Sequence, residues 1–309
     1  MRFYVGVTDN AWFDFIEKDG PDEVNFWRPS GREFSALESG EPFLFKLHKP
    51  LNFVVGGGFF IRSERLPLSL AWEVFGRKNG AATRRQFEQL IRNYRGYDEV
   101  DPEIGCIILN QPFFIPRDHW IPAPGDWKPN IVSGKRYDDQ NEWSDRLWTL
   151  VRPWLPVPDS DEPSEESGTA IADPNLLYGQ EYLRKSRLGQ GAFRILVTDA
   201  YLKRCAISGE RTLPVLQASH IKPYGEGPNH VDNGLLLRSD LHILFDRGYL
   251  TVTPDLKVEI SGRIREEYEN GKDYYRFHGN PLSVLPLVPH DRPNREFLRW
   301  HNERIFRST

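Results

Sequence analysis

One segment interrupts this chain and limits what the rest of it can fold into. Residues 152–174, RPWLPVPDSDEPSEESGTAIADP, are rich in proline, serine and carboxylates, and they carry almost no large apolar side chain after Val157. Such a segment cannot bury enough apolar surface to offset the entropy of ordering it, so we expect an extended linker. The chain has 309 residues, which is long for a single hydrophobic core. We therefore predict two domains, 1–152 and 175–309, joined by a linker over 153–174.

The linker conceals an uneven distribution of charge. The formal net charge is −4, but residues 1–174 hold 20 basic and 28 acidic side chains, whereas residues 175–309 hold 20 and 16. The second domain is therefore mildly basic, which favours an anionic partner such as nucleic acid. Residues 180–205 have helical spacing and many basic side chains, and this face either is solvated or contacts phosphates. The candidate phosphate contacts are Arg184, Lys185, Arg187 and Lys222.

Cysteine usage and hydropathy restrict the setting of the protein. The chain has two cysteines, Cys106 and Cys205, and no CxxC pair, so we expect neither a disulfide framework nor a zinc site of that kind. No apolar run approaches the roughly 20 residues that a membrane helix requires. The N-terminal MRFYVGVTDNAWFDF lacks the basic start and the apolar core of a signal peptide. We expect a cytoplasmic protein with no membrane partner.

The first domain combines strand patterns with helix patterns. Short apolar segments bounded by glycine, proline or asparagine predict strands at FLFKL (43–47), FVVGGGFF (53–60) and IGCIIL (104–109). Helical spacing predicts helices over 68–76 and 83–95, the second capped by Thr83. Glycines 56–58 inside a strand indicate a bulge or a close backbone approach. This mixture favours an α+β fold with a small β-barrel and helical insertions over a parallel sheet.

Tryptophan is concentrated in the same domain. Seven of the nine tryptophans of the chain precede residue 150. Most of these side chains are expected to pack in the core. A surplus of aromatic rings is also what a pocket that stacks on a planar ligand requires. The composition therefore leaves both interpretations open for any single tryptophan.

The residues that carry chemistry lie between 217 and 246. His220 closes the stretch QASH, Asn233 follows in VDNG, and His242 follows in DLHILFD. Short strands on either side of a loop, followed by a helix that starts near Ser239, predict a ββα unit. That unit places His220 on the first strand opposite His242 on the helix, with Asn233 where the second strand begins. A single histidine is more often a packed side chain than a catalyst, but the ordered set indicates a site.

The ordered set resembles the HNH, or ββα-metal, endonuclease motif. The surrounding SHIKPY…DNGLLLRSDLHILFDRGYLTV resembles the branch that is common in prokaryotic restriction-type proteins, from about Arg204 to Val252. The resemblance implies phosphodiester hydrolysis with His220 as the general base and Asn233 as the residue that orients its ring. It also implies that His242 binds a single divalent metal ion, Mg²⁺ or Mn²⁺, which takes up charge on the phosphate.

Two positions depart from the family pattern. Family members often carry an aspartate or a second histidine directly before the base as a metal ligand, and this chain has Ser219 there. A hydroxyl is a poor ligand for Mg²⁺ or Mn²⁺, which leaves the second ligand open. Asp246 lies four residues after His242 on the same helix face and could supply an oxygen or pair with a neighbouring arginine. Ser208 stands where a partner of Cys205 would complete a structural zinc site, so we expect no structural zinc and a core position for Cys205.

The first domain carries a second resemblance. PDEVNFWRPSG (21–31), the FLFKL strand and the glycine-rich strand are similar to a PUA-like barrel of the EVE and YTH branch. Relatives of that barrel bind a modified base that is turned out of the helix and held between aromatic rings. The candidates are Trp27 and Trp12 for stacking, with Asn25 and Asp22 on the polar edge of the base. Each of the four could instead be a core or turn residue.

The two resemblances together imply a modification-dependent DNA endonuclease of the restriction type. Its partner would be double-stranded DNA that contains methylated or hydroxymethylated cytosine. Because a single ββα site cuts one strand, double-strand cleavage would need a homodimer or two binding events. Two alternatives stay open: a nucleic-acid reader that is not an enzyme, its site degenerate at Ser219, and a nuclease that acts on RNA or on unmodified DNA.

Overall fold

The chain forms two compact units, residues 1–189 and 190–309. The computed structural model describes residues 2–95, 99–156, 188–224 and 226–308. The predicted linker over 153–174 lies almost wholly outside these ranges, as does the start of the basic stretch 180–205. The domain limits and the linker therefore stay predictions.

The first unit is built on one mixed sheet of seven strands. The strands are β1 (Phe3–Thr8), β2 (Glu23–Arg28), β3 (Pro42–Leu47), β4 (Phe53–Pro67), β5 (Glu103–Phe114), β6 (Ile121–Pro122) and β7 (Gly134–Tyr137). Their order is β2-β5-β4-β3-β1-β7, with β6 paired to β4. Strands β1 and β3 run parallel, and the other neighbours run antiparallel. Within the described residues no pairing joins β2 to β7, so the α+β class is confirmed and the closed barrel is not.

Helices fill the connections of this sheet. In the described part of the first unit they are α1 (Asn10–Asp19), α2 (Leu68–Phe75), α3 (Arg84–Arg95) and α4 (Ser144–Val151). The predictions over 68–76 and 83–95 are confirmed by α2 and α3. Thr83 caps α3 as expected, because its hydroxyl oxygen accepts a hydrogen bond from the Gln86 amide at 3.3 Å. Over the ranges that can be described, no helix is both long and apolar enough to cross a membrane.

The glycine-rich part of β4 is a place of close backbone approach. A Cβ atom on Gly56 would lie 2.3 Å from the carbonyl oxygen of Phe113, and one on Gly57 would lie 2.5 Å from that of Phe43. The register between β4 and β5 shifts between Gly57 and Phe59. Both expectations for this segment, a bulge and a close approach, are met, because glycine alone lacks the atom that would clash.

Most tryptophans of the first unit are packing residues. Buried Phe3, Leu44, Phe59 and Leu147 belong to one cluster, and five half-buried tryptophans pack against it: Trp120, Trp127, Trp143, Trp148 and Trp154. The core interpretation therefore holds for these side chains. Trp12 and Trp27 belong to a different part of the unit, described below.

The second unit contains the predicted ββα arrangement. Its elements are α5 (Gln190–Ala200), β8 (Leu216–His220), β9 (Gly234–Arg238), α6 (Ser239–Asp246), β10 (Leu250–Val252), β11 (Val258–Ile260), α7 (Arg263–Tyr268), α8 (Lys272–Tyr275) and α9 (Arg295–Arg304). Strands β8 and β9 pair antiparallel, and α6 follows β9 directly. A fully buried cluster that includes Leu235, Leu237, Leu241 and Phe245 joins the strand pair to this helix.

The C-terminal helix α9 packs on the same core. Its buried residues are Leu298 and His301. The ring of His301 stacks on Phe245 of α6, with 3.8 Å between centroids and 12° between planes. Its Nδ1 lies 2.8 Å from the hydroxyl of Thr251, and its Nε2 lies 3.2 Å from the carbonyl oxygen of Phe245. Burial lowers the pKa of His301 to about 4, so this histidine packs as a neutral ring.

Candidate active site and candidate base pocket

His220 ends strand β8 and is held on three sides. Its ring stacks on Phe193 of α5, with 3.9 Å between centroids and 9° between planes. Tyr224 approaches it edge-on at 6.1 Å. Its Nε2 lies 2.5 Å from the side-chain oxygen of Asn229, a fully buried residue. The strand register places His220 opposite Gly234, so the ring lies where the loop between β8 and β9 closes.

Asn233 is fully buried and ties that loop together. Its Oδ1 accepts a hydrogen bond from the Lys222 amide at 2.9 Å, and its Nδ2 donates to the carbonyl oxygens of Lys222 and Pro228 at 3.0 and 2.8 Å. The prediction that Asn233 bonds to the His220 ring is corrected: Asn229 occupies that position instead. Asn233 does lie where β9 begins, but its amide faces the loop backbone, which strand-and-turn patterns do not reveal.

His242 lies on α6 between two polar side chains. Its Nδ1 is 2.7 Å from the side-chain oxygen of Gln217 on β8. Its Nε2 is 3.1 Å from a carboxylate oxygen of Asp246, four residues further along the helix. The contact that the structure shows for Asp246 is thus with His242 rather than with an arginine. Gln217 was not predicted; it follows from the contact between β8 and the helix.

The donors at His242 suit a hard divalent cation. Over the described parts of the chain, no group of three or more His, Cys, Asp or Glu side chains could hold a metal ion. One imidazole nitrogen and one carboxylate oxygen, 3.1 Å apart, nevertheless match two adjacent corners of an octahedron with bonds of about 2.1 Å. Mg²⁺ commonly uses one or two carboxylates together with waters and substrate phosphate. His242 and Asp246 would hold such an ion.

Ser219 is not available for this role. Its side chain is fully buried, and its Oγ has no hydrogen-bond partner among the described residues. Its strand partner Leu235 is buried as well. A buried hydroxyl cannot meet a hydrated cation, so Ser219 is ruled out as the second metal ligand, and that candidate is corrected. Cys205 is buried in the core as expected, and its sulfur accepts from the amides of Ser208 and Arg238 at 3.4 and 3.3 Å.

Lys222 is the predicted phosphate contact that lies beside His220. Asn233 fixes both backbone groups of this residue, and its ammonium lies 5.7 Å from the ring centroid of Trp300 on α9. A cation over an aromatic face is held in place without losing its charge. The other predicted contacts, Arg184, Lys185 and Arg187, lie outside the described residues.

A cavity of about 570 Å³ opens in the first unit and brings Trp12 and Trp27 together. Its size falls within the range of small-molecule sites, roughly 300–1,000 Å³. Aromatic, polar and basic side chains share the lining: Val7, Asp9, Trp12, Phe26, Trp27, Arg28, Pro29, Ser30, His48, Tyr94, Arg95, Val132 and Ser133.

A single backbone carbonyl anchors both tryptophans. The indole N–H groups of Trp12 and Trp27 donate to the carbonyl oxygen of Asn79 at 3.0 and 2.8 Å. Gly80 follows with φ +79°, and a Cβ atom there would lie 2.0 Å from the Trp12 ring. The Asn-Gly pair is a turn signal that the sequence displays, but nothing in the sequence connects it to the two rings.

The structure does not place the predicted polar edge on this cavity. Asn25 is fully buried and donates to the side-chain oxygen of Asn79 at 2.8 Å. Asp22 lies 2.6 Å from the ammonium of Lys78. Neither belongs to the lining. Asn25 lies two positions before Trp27 and so shares its face of β2, which is turned toward the Asn79 turn.

Asp9 and Tyr94 stand on the cavity wall instead. One carboxylate oxygen of Asp9 caps α1 by accepting from the Trp12 amide at 2.9 Å, and the other accepts from the Tyr94 hydroxyl at 2.9 Å. The Tyr94 ring meets Trp27 edge-on, with 5.8 Å between centroids. Burial, together with the hydrogen bond to Asp9, raises the pKa of Tyr94 to about 12, so the phenol stays a neutral donor.

Comparison with known proteins identifies one part of the chain. Residues 205–253 match the HNH endonuclease family. Among solved structures, the ASCH protein from Zymomonas mobilis is 15% identical, with a TM-score of 0.35, over 48% of this chain and 94% of that chain. TagI, a modification-dependent restriction endonuclease, is 15% identical, with a TM-score of 0.28, over 92% of this chain and 75% of that chain. Comparison with curated proteins gives no match. The second unit therefore contains an HNH endonuclease domain, and the chain is a nuclease.

Proposed function

We propose that this HNH endonuclease is a modification-dependent restriction enzyme that hydrolyses double-stranded DNA carrying modified cytosine. One observation carries the proposal: a chain with an HNH domain also has a cavity whose lining includes both Trp12 and Trp27. A nuclease module alone would cut without selection. An aromatic cavity in the other unit supplies a means of selection.

His220 acts as the general base in this proposal. The imidazole ring is fixed by its stack on Phe193 and by its contact with Asn229, so its orientation does not have to be found during the reaction. A neutral histidine near pH 7 can take the proton of the attacking water. Lys222, whose backbone is clamped two residues further on, contacts the phosphate beside the cut.

His242 and Asp246 hold the cation in this proposal. Mg²⁺ or Mn²⁺, when bound, supplies a positive charge for the phosphate and the leaving oxygen. Gln217 accepts the Nδ1–H of His242, which leaves Nε2 directed toward Asp246 and the cation.

The cavity of the first unit receives the modified base. Turning a base out of the duplex costs a few kcal/mol, and stacking on aromatic side chains returns about 1–3 kcal/mol per base. A methyl group on the base adds apolar area, and binding becomes more favourable when the aromatic rings of the cavity cover that area. Asp9 offers carboxylate oxygens to an exocyclic amine such as that of cytosine. Basic Arg28 at the wall suits a flanking phosphate.

One active site cuts one strand, so we propose a homodimer for double-strand cleavage, acting in the cytoplasm. The mass of the protein on modified DNA, measured by light scattering during cleavage, tests this point. A monomer on DNA that is cut through both strands would refute the dimer.

The second candidate is a reader without catalysis. It is favoured by the burial of Ser219, which leaves two protein donors for the cation in the region described here. The third candidate, a nuclease for RNA or unmodified DNA, keeps the HNH site and removes the role of the cavity.

Cleavage of one plasmid in three forms distinguishes these candidates. The forms are unmodified, cytosine-methylated and hydroxymethylcytosine-containing, each with Mg²⁺ or Mn²⁺. The variants are His220→Ala, Trp27→Ala and Trp27→Phe, with exposed His290→Ala as the control. Cutting of modified plasmid alone, lost in His220→Ala and Trp27→Ala and retained in the other two variants, supports the proposal. Equal cutting of all forms removes the base reader. Binding without cutting by either metal favours the non-enzymatic reader.

A further inference from the structure

The general base is held by an asparagine that lies outside the three-residue motif. Nε2 of His220 is 2.5 Å from Oδ1 of Asn229, which is fully buried, whereas His220 is half-buried. The ring face is covered by Phe193 at 3.9 Å, so the ring cannot flip without breaking a stack and a hydrogen bond together. The contact therefore defines one orientation of the imidazole.

That contact also decides which ring nitrogen carries hydrogen. An amide oxygen accepts hydrogen bonds and cannot donate them, so Nε2 must be the N–H nitrogen. A neutral imidazole has one N–H group, which makes Nδ1 the nitrogen with the basic lone pair. The tautomer of the base follows from the partner of the opposite nitrogen.

Asn233 supports the contact between Asn229 and His220 indirectly, through the loop backbone. Its Nδ2 donates to the carbonyl oxygen of Pro228, the residue before Asn229, and its other bonds fix Lys222, two residues after His220. The two asparagines therefore work in series: Asn233 fixes the loop backbone, and the loop presents the amide of Asn229 to the ring.

We propose that Asn229 is the positioning residue of the general base, fixing His220 as the Nε2–H tautomer so that Nδ1 takes the proton of the attacking water. The proton leaves the water oxygen for Nδ1 as that oxygen bonds to phosphorus and the bond between phosphorus and the leaving oxygen breaks. Nδ1 then releases the proton to solvent, and the leaving oxygen takes its proton from solvent on the opposite side of phosphorus. The inference rests on the proposed nuclease role of His220, but the tautomer is a property of the free protein.

Nitrogen-15 NMR of the full chain labelled in histidine tests the tautomer without DNA. The His220 signals are assigned by their loss in His220→Gln. The expected spectrum near neutral pH has hydrogen on Nε2 and a lone pair on Nδ1. Asn229→Ala is expected to show a mixture of tautomers. Hydrogen on Nδ1 in the wild-type protein, or an unchanged tautomer in Asn229→Ala, would overturn the proposal.

The kinetic test uses a matched pair of variants. Asn229→Ala should lower kcat for nicking of the modified plasmid at least tenfold with little change in KM, because general-base catalysis is worth about 10²–10⁴. Asn229→Asp keeps an acceptor for Nε2–H and adds a negative charge, so it should retain the tautomer. The charge favours protonated His220 and should move the acidic limb of the pH–rate profile upward by about one unit.

The two variants separate positioning from folding. A simple loss of structure would lower kcat in both variants and would leave the acidic limb in place. Equal losses with an unshifted limb would therefore overturn the positioning role. If the expected tautomer is present and no form of DNA is cut, the proposed nuclease function fails while the contact of Asn229 with His220 stands.

Discussion

Acid should loosen α9 from the second unit through a single histidine. His301 is 2% exposed and packs as a neutral ring between Phe245 and Thr251. Asn302 donates to the Thr251 hydroxyl oxygen at 3.2 Å, which leaves the hydroxyl hydrogen for Nδ1 of His301. The other nitrogen, Nε2, donates to the Phe245 carbonyl oxygen. A second proton would have to enter at Nδ1, where it meets a donor.

The sign and size of the effect follow from the pKa. Burial lowers the pKa of His301 from 6.5 to about 4. The unfolded chain therefore takes up the proton first, and the contribution to stability, complete above about pH 6.5, is lost as the pH falls toward 4. Each pH unit in that window costs about 1.4 kcal/mol. At about pH 4.5 the folded second unit should have lost about 2.5 kcal/mol relative to neutral pH.

Urea unfolding of the full chain, monitored by hydrogen exchange in peptides from α6 and α9, measures this loss of stability locally. His301→Asn removes the titrating group, so it should be less stable at neutral pH but should lack this part of the acid dependence. Exposed His290→Asn serves as the matched control and should keep the wild-type dependence. Equal losses between neutral pH and about pH 4.5 in wild type and His301→Asn would refute the reasoning.

Three further changes have defined outcomes. Gly80→Ala should lower the free energy of unfolding by more than about 1 kcal/mol in urea, because the residue has φ +79° and the new methyl group would lie 2.0 Å from the Trp12 ring. Unaltered binding of a modified oligonucleotide by this variant would contradict the link between Gly80 and the pocket. Gln217→Ala should weaken Mn²⁺ binding by about tenfold or more in calorimetry, because His242 loses the acceptor that orients it. Gln217→Glu keeps an acceptor and should bind Mn²⁺ as the wild type does. Equal affinity in the wild type and both variants would contradict this role of Gln217. Lys222→Ala should reduce the slope of log affinity against log salt by about one on any DNA sequence, and a sequence-dependent loss would argue against a phosphate contact.

The ββα unit could be predicted from the sequence because its signals are local. The strand that ends at His220, the turn at Asn233 and the helix that starts at Ser239 each follow from residues within a few positions. The neighbourhood of His242 and Asp246 follows from helix periodicity in the same way. The residue that touches the His220 ring did not follow, because the path of the loop decides it.

In the first unit too, local sequence patterns predicted secondary structure, but contacts between distant residues could not be predicted. The limits of three strands and two helices were predicted from local patterns, and the structure places the two stacking candidates, Trp12 and Trp27, on one cavity. Asn25 and Asp22 do not line the cavity, because the first bonds to the Asn79 side chain and the second pairs with Lys78, both of which are distant in sequence.

Strand β8 sets the distance between two parts of the proposed site. Gln217 meets the helix that carries His242, and His220 closes the same strand three residues later, about 10 Å away at the rise of an extended chain. The backbone of this one strand therefore fixes the spacing between the two parts of the proposed site. The loop after the strand can change length while that spacing holds. One residue inserted between Gln217 and His220 would turn one of them to the opposite face, because successive side chains of a strand alternate between faces.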